Sequence, residues 1–347
     1  MNNMLKPIID RQVEISEGNC PKIDLPKKTK YTLCNLRGGI GKTTLAFNLS
    51  YLGDDVLAVD TCPQGNLSFH FDNNYYTNQT PTVRDMLLPY VIPGLFGKSS
   101  RVAKFVGATN QAFENRKTYY IPSSNELYLL PSQLTSALNL ASSTSGNEEA
   151  LTNILFSLKN EIQREMDENE HVTKCLIDTS PFFAGATQLA WYAADALIIP
   201  VRTDLQSIKS LELLINTLTS SQSEFRKYIP SSVNCTPKIQ IVILTHCGWS
   251  TAAGSKYAPN QQTLLYLNKV YEILNRNRQL LSTDNPQNHL LMLDDFLGSG
   301  RIASAESKPI DLLKAGQQRV IDRVSTKVNK SVDKCKYQLN FINQLIW

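Results

Sequence analysis

The stretch Leu36-Arg37-Gly38-Gly39-Ile40-Gly41-Lys42-Thr43-Thr44 has the residue types, in the order, that can hold a chain of phosphates. Glycines let the backbone bend until successive N–H groups point at one anion, and a helix starting directly afterwards adds the partial positive charge of its N-terminus. Lys42 is placed to reach the β- and γ-phosphates of a nucleotide, and the Thr43 hydroxyl to hold Mg²⁺. Gly38, Gly39, Ile40, Gly41, Lys42, Thr43 and Thr44 are therefore the candidate cofactor-binding residues. Two carboxylates complete the chemistry. Asp60 closes the apolar run Val56-Leu57-Ala58-Val59, and Asp178 closes Cys175-Leu176-Ile177. An acid at the carboxyl end of a parallel strand points into the crevice where such sheets bind ligands. Thr43, Asp60 and Asp178 form the candidate metal set, with Asp178 holding Mg²⁺ through water.

These groups need a scaffold of alternating strands and helices. The apolar run over 31–36 predicts a strand feeding the glycine loop, and 45–52 a helix leaving it. Further strands are expected at 56–60, 126–130, 174–178, 196–201, 239–244 and 289–293. Helices are expected at 82–88, 148–165, 184–194, 205–225 and 261–281, with loops at 94–107, carrying Lys98, Arg101 and Lys104, and at 141–147. The alternation predicts an α/β fold: a single doubly wound, mostly parallel β-sheet flanked by helices. Residues 1–30 lack periodicity and read as a loosely packed extension before a domain over 31–310.

Residues 311–347 predict a long C-terminal amphipathic helix. Ile321, Val324, Val328, Val332, Cys335, Leu339, Ile342 and Ile346 recur at spacings of three and four, as one apolar stripe. Arg319, Arg323, Lys327, Lys330 and Lys334 fall on the opposite face of such a helix. Residues 308–347 hold eight bases and three acids, so the net charge of +4 resides in this segment. Three readings follow: a basic stripe lying along DNA phosphates, a solvated face over a buried apolar stripe, or an apolar end, Tyr337 to Trp347, set in a membrane interface. The DNA reading leads, because the stripe runs for four turns or more.

Composition narrows the rest. At 347 residues, 42% hydrophobic and 19% charged, the chain is an ordinary globular protein with ample core. Seven cysteines, an odd number without a C-x-x-C, argue against a disulfide framework or cysteine zinc site and for a cytoplasmic chain. The N-terminus lacks a signal-peptide core. The longest apolar region, 175–201, is interrupted by Asp178, Gln188 and Asp195, so no transmembrane span is expected.

With the glycine loop, the Asp60 turn and the Asp178 strand in view, the chain resembles the ParA/Soj/MinD family of deviant Walker A ATPases over about 30–315. Arg37-Gly38-Gly39-Ile40-Gly41-Lys42-Thr43-Thr44 is similar to that family's Lys-Gly-Gly-x-Gly-Lys-Thr-Thr. Val59-Asp60-Thr61-Cys62-Pro63-Gln64-Gly65-Asn66-Leu67-Ser68 is similar to its switch segment, and 176–201 to its Walker B region and next strand. The resemblance implies ATP and Mg²⁺ as cofactors, a homodimer formed on ATP, and nonspecific DNA as partner, hence a nucleoid-associated location. It also implies a ParB-like activator or cargo adaptor, and the positioning of plasmids, chromosomes or protein cargo. It assigns catalytic roles to Lys42, Asp60 and Arg37. Thr245 and the loop after Leu293 are candidate contacts for the base.

Two departures bear on activity. Arg37 stands where the family has the lysine that reaches the partner subunit's phosphates; arginine keeps the charge but is planar and bulkier. Cys62 stands where the family has the aspartate that orients the attacking water, and a neutral thiol is no substitute for a carboxylate acceptor. Slow hydrolysis is expected. The alternatives are a nucleotide-gated assembly or regulatory protein, or a MinD-like membrane-associated factor, with little turnover. An iron–sulfur relative is disfavoured, since no suitable cysteine pair is in sight.

Overall fold

The computed structural model describes residues 4–77, 80–92, 101–143, 148–233, 235–250, 257–321 and 323–347. Of the loops expected at 94–107 and 141–147, residues 94–100, with Lys98, and 144–147 lie outside them; where described, Lys104–Phe105 form a short strand and 141–143 end a helix.

One sheet organises these residues. Its strands are β1 (Lys30–Leu33), β2 (Val56–Asp60), β3 (Lys104–Phe105), β4 (Tyr119–Ile121), β5 (Lys174–Asp178), β6 (Ala196–Arg202), β7 (Lys238–Cys247) and β8 (Leu290–Asp294). They lie in the order β3-β4-β2-β5-β1-β6-β7-β8, parallel except for the short edge strand β3. This is the doubly wound, mostly parallel sheet that the sequence predicts. The helices are α1 (Lys6–Ser16), α2 (Lys42–Gly53), α3 (Asn66–Phe71), α4 (Val83–Val91), α5 (Leu130–Ser143) and α6 (Glu148–Leu155). The chain continues with α7 (Ser157–Asp167), α8 (Ala186–Ala193), α9 (Leu205–Thr219), α10 (Gln261–Arg276), α11 (Leu297–Ala305) and α12 (Val332–Ile346).

The central strands are apolar on both faces because helices cover both. Side chains alternate across a strand. Thus Leu57, Val59, Cys175, Ile177, Leu197 and Ile199 enter one core, shared with α4 to α10. Val56, Ala58, Leu176, Ala196 and Ile198 enter the other, shared with α2, α3, α11 and α12. The register aligns the carboxyl ends that matter: Leu33 and Asp60 both lie opposite Asp178.

Four sequence expectations are corrected. Residues 126–130 are not a strand: the Ser124 hydroxyl accepts from the Glu126 N–H and starts a single turn of tight helix, Asn125–Tyr128, that runs into α5. The strand at this point is β4, which enters beside β2. Residues 148–165 are not one helix, since α6 and α7 are separate elements meeting at Phe156.

The third correction concerns the N-terminal extension. It contains α1, which buries Ile8, Ile9 and Ile15. The buried Arg11 guanidinium donates to the carbonyls of Gln287 (2.8 Å) and Leu290 (2.6 Å), so α1 is fastened over the β8 edge of the sheet. Covering an edge removes a template for unwanted strand pairing.

The fourth is the C-terminal helix. Only Val332–Ile346 is helical; before it come β9 (Gln318–Ile321) and β10 (Val324–Lys327), an antiparallel hairpin. Gly316, at φ +79°, turns the chain before the hairpin. Val320, Ile321, Val324, Thr326 and Val328 are β-branched and favour a pleated strand over a helix. The three-and-four spacing of Ile321, Val324 and Val328 is produced by a hairpin here.

In α12 the apolar stripe is real and buried: Leu339, Phe341, Ile342, Leu345 and Ile346 pack under the sheet, and the Tyr31 hydroxyl donates to the Ile346 carbonyl at 2.8 Å. That removes the membrane reading, because those side chains are already occupied by the core. No helix among the described residues is long and apolar enough to cross a membrane. Ile342→Ala is expected to lower unfolding free energy in urea by about 2–5 kcal/mol, the cost of a cavity in a close-packed core. Lys330→Ala, at an exposed position, is expected to stay within about 0.5 kcal/mol.

Candidate functional site

β1 delivers the chain to the glycine loop, and α2 opens at Lys42. Gly39 and Gly41 have φ of +69° and +95°, backbone that side chains avoid. Nothing lies within 4 Å of where a Cβ would project from either, so the loop presents bare backbone to an open concavity. Lys42 spans that loop. Its ammonium donates to the carbonyls of Arg37 (2.8 Å) and Asn35 (3.2 Å). Burial lowers its pKa, and the charge of Asp178 pulls it back up.

Below the loop, the Thr43 hydroxyl donates to Asp178 Oδ2 at 2.6 Å. The other oxygen, Asp178 Oδ1, is buried with no hydrogen-bond partner among the described residues. Burial, then the charge of Asp60, pushes the Asp178 carboxyl well above the ordinary range; Thr43 and Lys42 oppose the shift. A buried carboxylate oxygen without a donor fits a divalent cation. No cluster of three or more His, Cys, Asp or Glu forms a metal site among the described residues. A cation here would depend on Thr43, Asp178 and the oxygens of its ligand.

Asp60 is differently placed. Its Oδ2 accepts from the Ser68 N–H and hydroxyl, both at 2.8 Å, and its Oδ1 from the Cys62 N–H at 3.1 Å. The carboxylate thus ties the 61–68 turn to the start of α3. Burial raises its pKa, while the bonds from Ser68 and Cys62 oppose the rise. Cys62 is buried, and its thiol is pushed up to about 12 by burial and then by Asp60, so it is protonated. Sequence reasoning gives Ser68 no role; its signal is a hydroxyl in the first turn of the helix after the Asp60 turn.

Arg37 lies at the loop's other side, ion-paired with Asp204 and donating to the Ser207 hydroxyl at 2.9 Å. It is bound within its own chain, by the N-terminus of α9. The candidate base contacts do converge. A cavity of about 660 Å³ opens from Gly39, Gly41 and Thr44 and runs past Thr245 and the loop after Leu293 to α11 and Ile321. Sequence reasoning missed α11, because Leu297 to Ala305 has little helical periodicity.

The five proposed DNA contacts do not share one helix face. Lys334 is buried, 3.0 Å from Asp294 Oδ2 and 3.5 Å from the centre of the Trp249 ring. Arg319 is paired with Glu306 at 2.8 Å. Arg323, Lys327 and Lys330 are exposed, on the hairpin and the loop after it. Periodicity placed them together only on the assumption of a helix through 319–334.

The comparisons with known proteins agree with this geometry. The profile of the family AAA_31, described as an AAA domain, matches residues 29–230. The chain belongs to that family, and within it to the ParA/Soj/MinD type of P-loop protein. An uncharacterised Methanocaldococcus jannaschii protein is 26% identical over 220 residues, 61% of this chain and 70% of its own length. Protein IncC of Escherichia coli is 22% identical over 246 residues, 64% of this chain and 55% of IncC. Among solved structures, apo McdA of Cyanothece superposes with a TM-score of 0.55 at 18% identity, over 81% of this chain and 91% of McdA. A Borrelia burgdorferi plasmid partition protein bound to AMPPNP gives 0.51 at 13%, over 92% and 99%. At these identities the superpositions speak for the fold.

The raised carboxyls have a measurable consequence. A carboxyl raised in the folded state keeps protons that the unfolded chain releases. Nucleotide-free protein should therefore lose stability as pH rises from the ordinary carboxylate range, about 4, towards neutrality. Asp178→Asn is expected to flatten that slope in thermal unfolding followed against pH. An unchanged slope would show that Asp178 ionises in the fold at little cost.

Proposed function

We propose that the chain is a ParA-like switch that binds ATP–Mg²⁺, dimerises on the nucleotide, binds nonspecific DNA and positions or segregates a plasmid, chromosome or protein cargo. The observation that carries this reading is the convergence of Lys42, Thr43 and the unpartnered oxygen of Asp178 at one end of the sheet. The α2 N-terminus and Lys42 would bind the phosphates, Lys42 exchanging the carbonyls of Asn35 and Arg37 for phosphate oxygens. Thr43 and Asp178 would hold Mg²⁺, which when bound neutralises phosphate charge. The solved complex of a McdA variant with ATP and the AMPPNP-bound partition protein support nucleotide binding on this fold.

Turnover in this reading is slow. A group that orients an attacking water must accept a hydrogen bond from it. Cys62 is a protonated thiol, and both oxygens of Asp60 are committed to Ser68 and Cys62. Dimerisation is supported by exposed Phe182 and Leu205. Phe182 follows Pro181, which faces Gly38, and Leu205 follows Asp204, the partner of Arg37. A contact from Arg37 to a second subunit requires it to leave Asp204, a half-exposed pair worth about 1 kcal/mol or less.

The DNA component rests on Arg323, Lys327 and Lys330, and three phosphate contacts would give a log–log salt slope of about −3 per subunit. Binding to a nonspecific duplex is expected with ATP–Mg²⁺ and absent with ADP. Lys42→Ala should abolish it, and Lys327→Ala/Lys330→Ala should weaken it. Absence of binding in every nucleotide state would remove DNA from the reading and leave a nucleotide-gated assembly protein, which the protonated Cys62 favours. Cys62→Asp separates the two in an ATP turnover assay: a gain of about 10²-fold is expected for a switch disabled at this position. Unchanged turnover would show that hydrolysis does not depend on it.

A further inference from the structure

We propose that the β9–β10 hairpin is the outer wall of the site for the nucleotide base, with Ile321 the side chain that meets the ring; this rests on the nucleotide reading above. The cavity beside the glycine loop encloses about 660 Å³, within the range of about 300–1,000 Å³ usual for small-molecule sites. Phosphates bound at Lys42 fix one end of the ligand, so the base lies away from the loop, towards Phe296, Leu297 and Ile321. Apolar walls with Thr245, Asp295 and Arg301 among them suit a flat heterocycle with polar edges.

The hairpin is built to face this cavity. Ladder pairing sets Arg319 opposite Thr326, and alternation along β9 puts Ile321 on the same face. These three are half-buried; Val324, paired with Ile321 on the same face at the hairpin's tip, is exposed, as are Gln318, Val320, Ser325 and Lys327 on the other face. Arg319 reaches Glu306, just past α11, at 2.8 Å. At the hairpin's foot, Asn329 Oδ1 accepts from the Ser299 N–H at 3.1 Å, and the Asn329 N–H donates to the Ser299 hydroxyl at 3.0 Å. A Cβ on Gly298 would stand 3.2 Å from the Lys327 carbonyl, so the absence of a side chain there lets the hairpin backbone lie close to α11.

Two strands of four residues are marginal on their own. The hairpin's position therefore depends on α11 and on what fills the cavity. A base in the cavity buries Ile321 further, which strengthens binding and holds the hairpin in place. Arg323 and Lys327 sit on the same hairpin, so base occupancy also orders the exposed charges.

The test titrates the full chain with ATP–Mg²⁺ and with inorganic tripolyphosphate–Mg²⁺, which has phosphates but no base. In Ile321→Ala, ATP affinity is expected to fall roughly five- to tenfold, and further in Ile321→Asp, with tripolyphosphate affinity unchanged in both. Unchanged ATP affinity in both variants overturns the proposal. So does an equal loss of both ligands in Ile321→Ala, since the side chain would then be supporting the fold. Wild-type protein that binds ATP no better than tripolyphosphate refutes the base site but spares the phosphate site. Binding of neither ligand refutes the nucleotide reading itself, and the hairpin's role with it.

Discussion

The structure turns on two carboxylates buried side by side. Asp60 and Asp178 end adjacent parallel strands in register, and neither is exposed. Taking two like charges out of water is costly, and proteins retain such pairs where each is compensated or used. Asp60 is compensated by three donors from the turn it anchors. Asp178 is compensated by the Thr43 hydroxyl on Oδ2, by the charge of Lys42 and by the Thr179 N–H. One acid holds the 61–68 turn in shape, and the other keeps Oδ1 buried without a hydrogen bond among the described residues. The bond from Thr43 also explains why α2 starts where it does: Thr43 must be in the first turn to reach β5.

The loop that lines the cavity beyond β8 depends on a second buried ion. Lys334, from α12, lies between Asp294 at the end of β8 and the ring of Trp249. Gln338, one turn on, donates to the other Asp294 oxygen at 2.7 Å and accepts from its N–H at 2.9 Å. The last helix therefore fixes the loop that leads from β8 into α11. A stripe that looked like a binding surface supplies one of its bases to the interior instead. Burial lowers the Lys334 pKa, and Asp294 opposes the shift, so the pair is held by geometry as well as charge.

The two departures from the family pattern are resolved differently by the fold. Arg37 is given a partner in its own chain, and its planar guanidinium suits simultaneous contact with a carboxylate and a hydroxyl. Cys62 is buried beside an acid, which favours the proton-bearing form. Around it, the Gln64 N–H and the charge of Lys42 favour the thiolate but are outweighed. Membership of the family thus coexists with a turn that buries Asp60, Thr61 and Cys62 while Gln64 and Asn66 stay exposed.

The sequence by itself determined the central strands and the glycine loop between β1 and α2. Apolar runs ending in Asp60 and Asp178, and a glycine loop between strand and helix, are local patterns with one good structural solution each. The three-dimensional arrangement decided what depends on distant partners. That Asp60 is spent on Ser68, that Arg37 faces Asp204, and that Lys334 is interior follow from packing between segments far apart in the chain. The C-terminal segment shows the limit most clearly. Spacings of three and four fit a helix, but β-branched residues around a turn at Arg323 fit a hairpin equally well. What tips the choice is α11, whose Gly298 and Ser299 accept the hairpin's foot. Periodicity reports which residues share a face only after the backbone has been chosen, and here tertiary contact chose it.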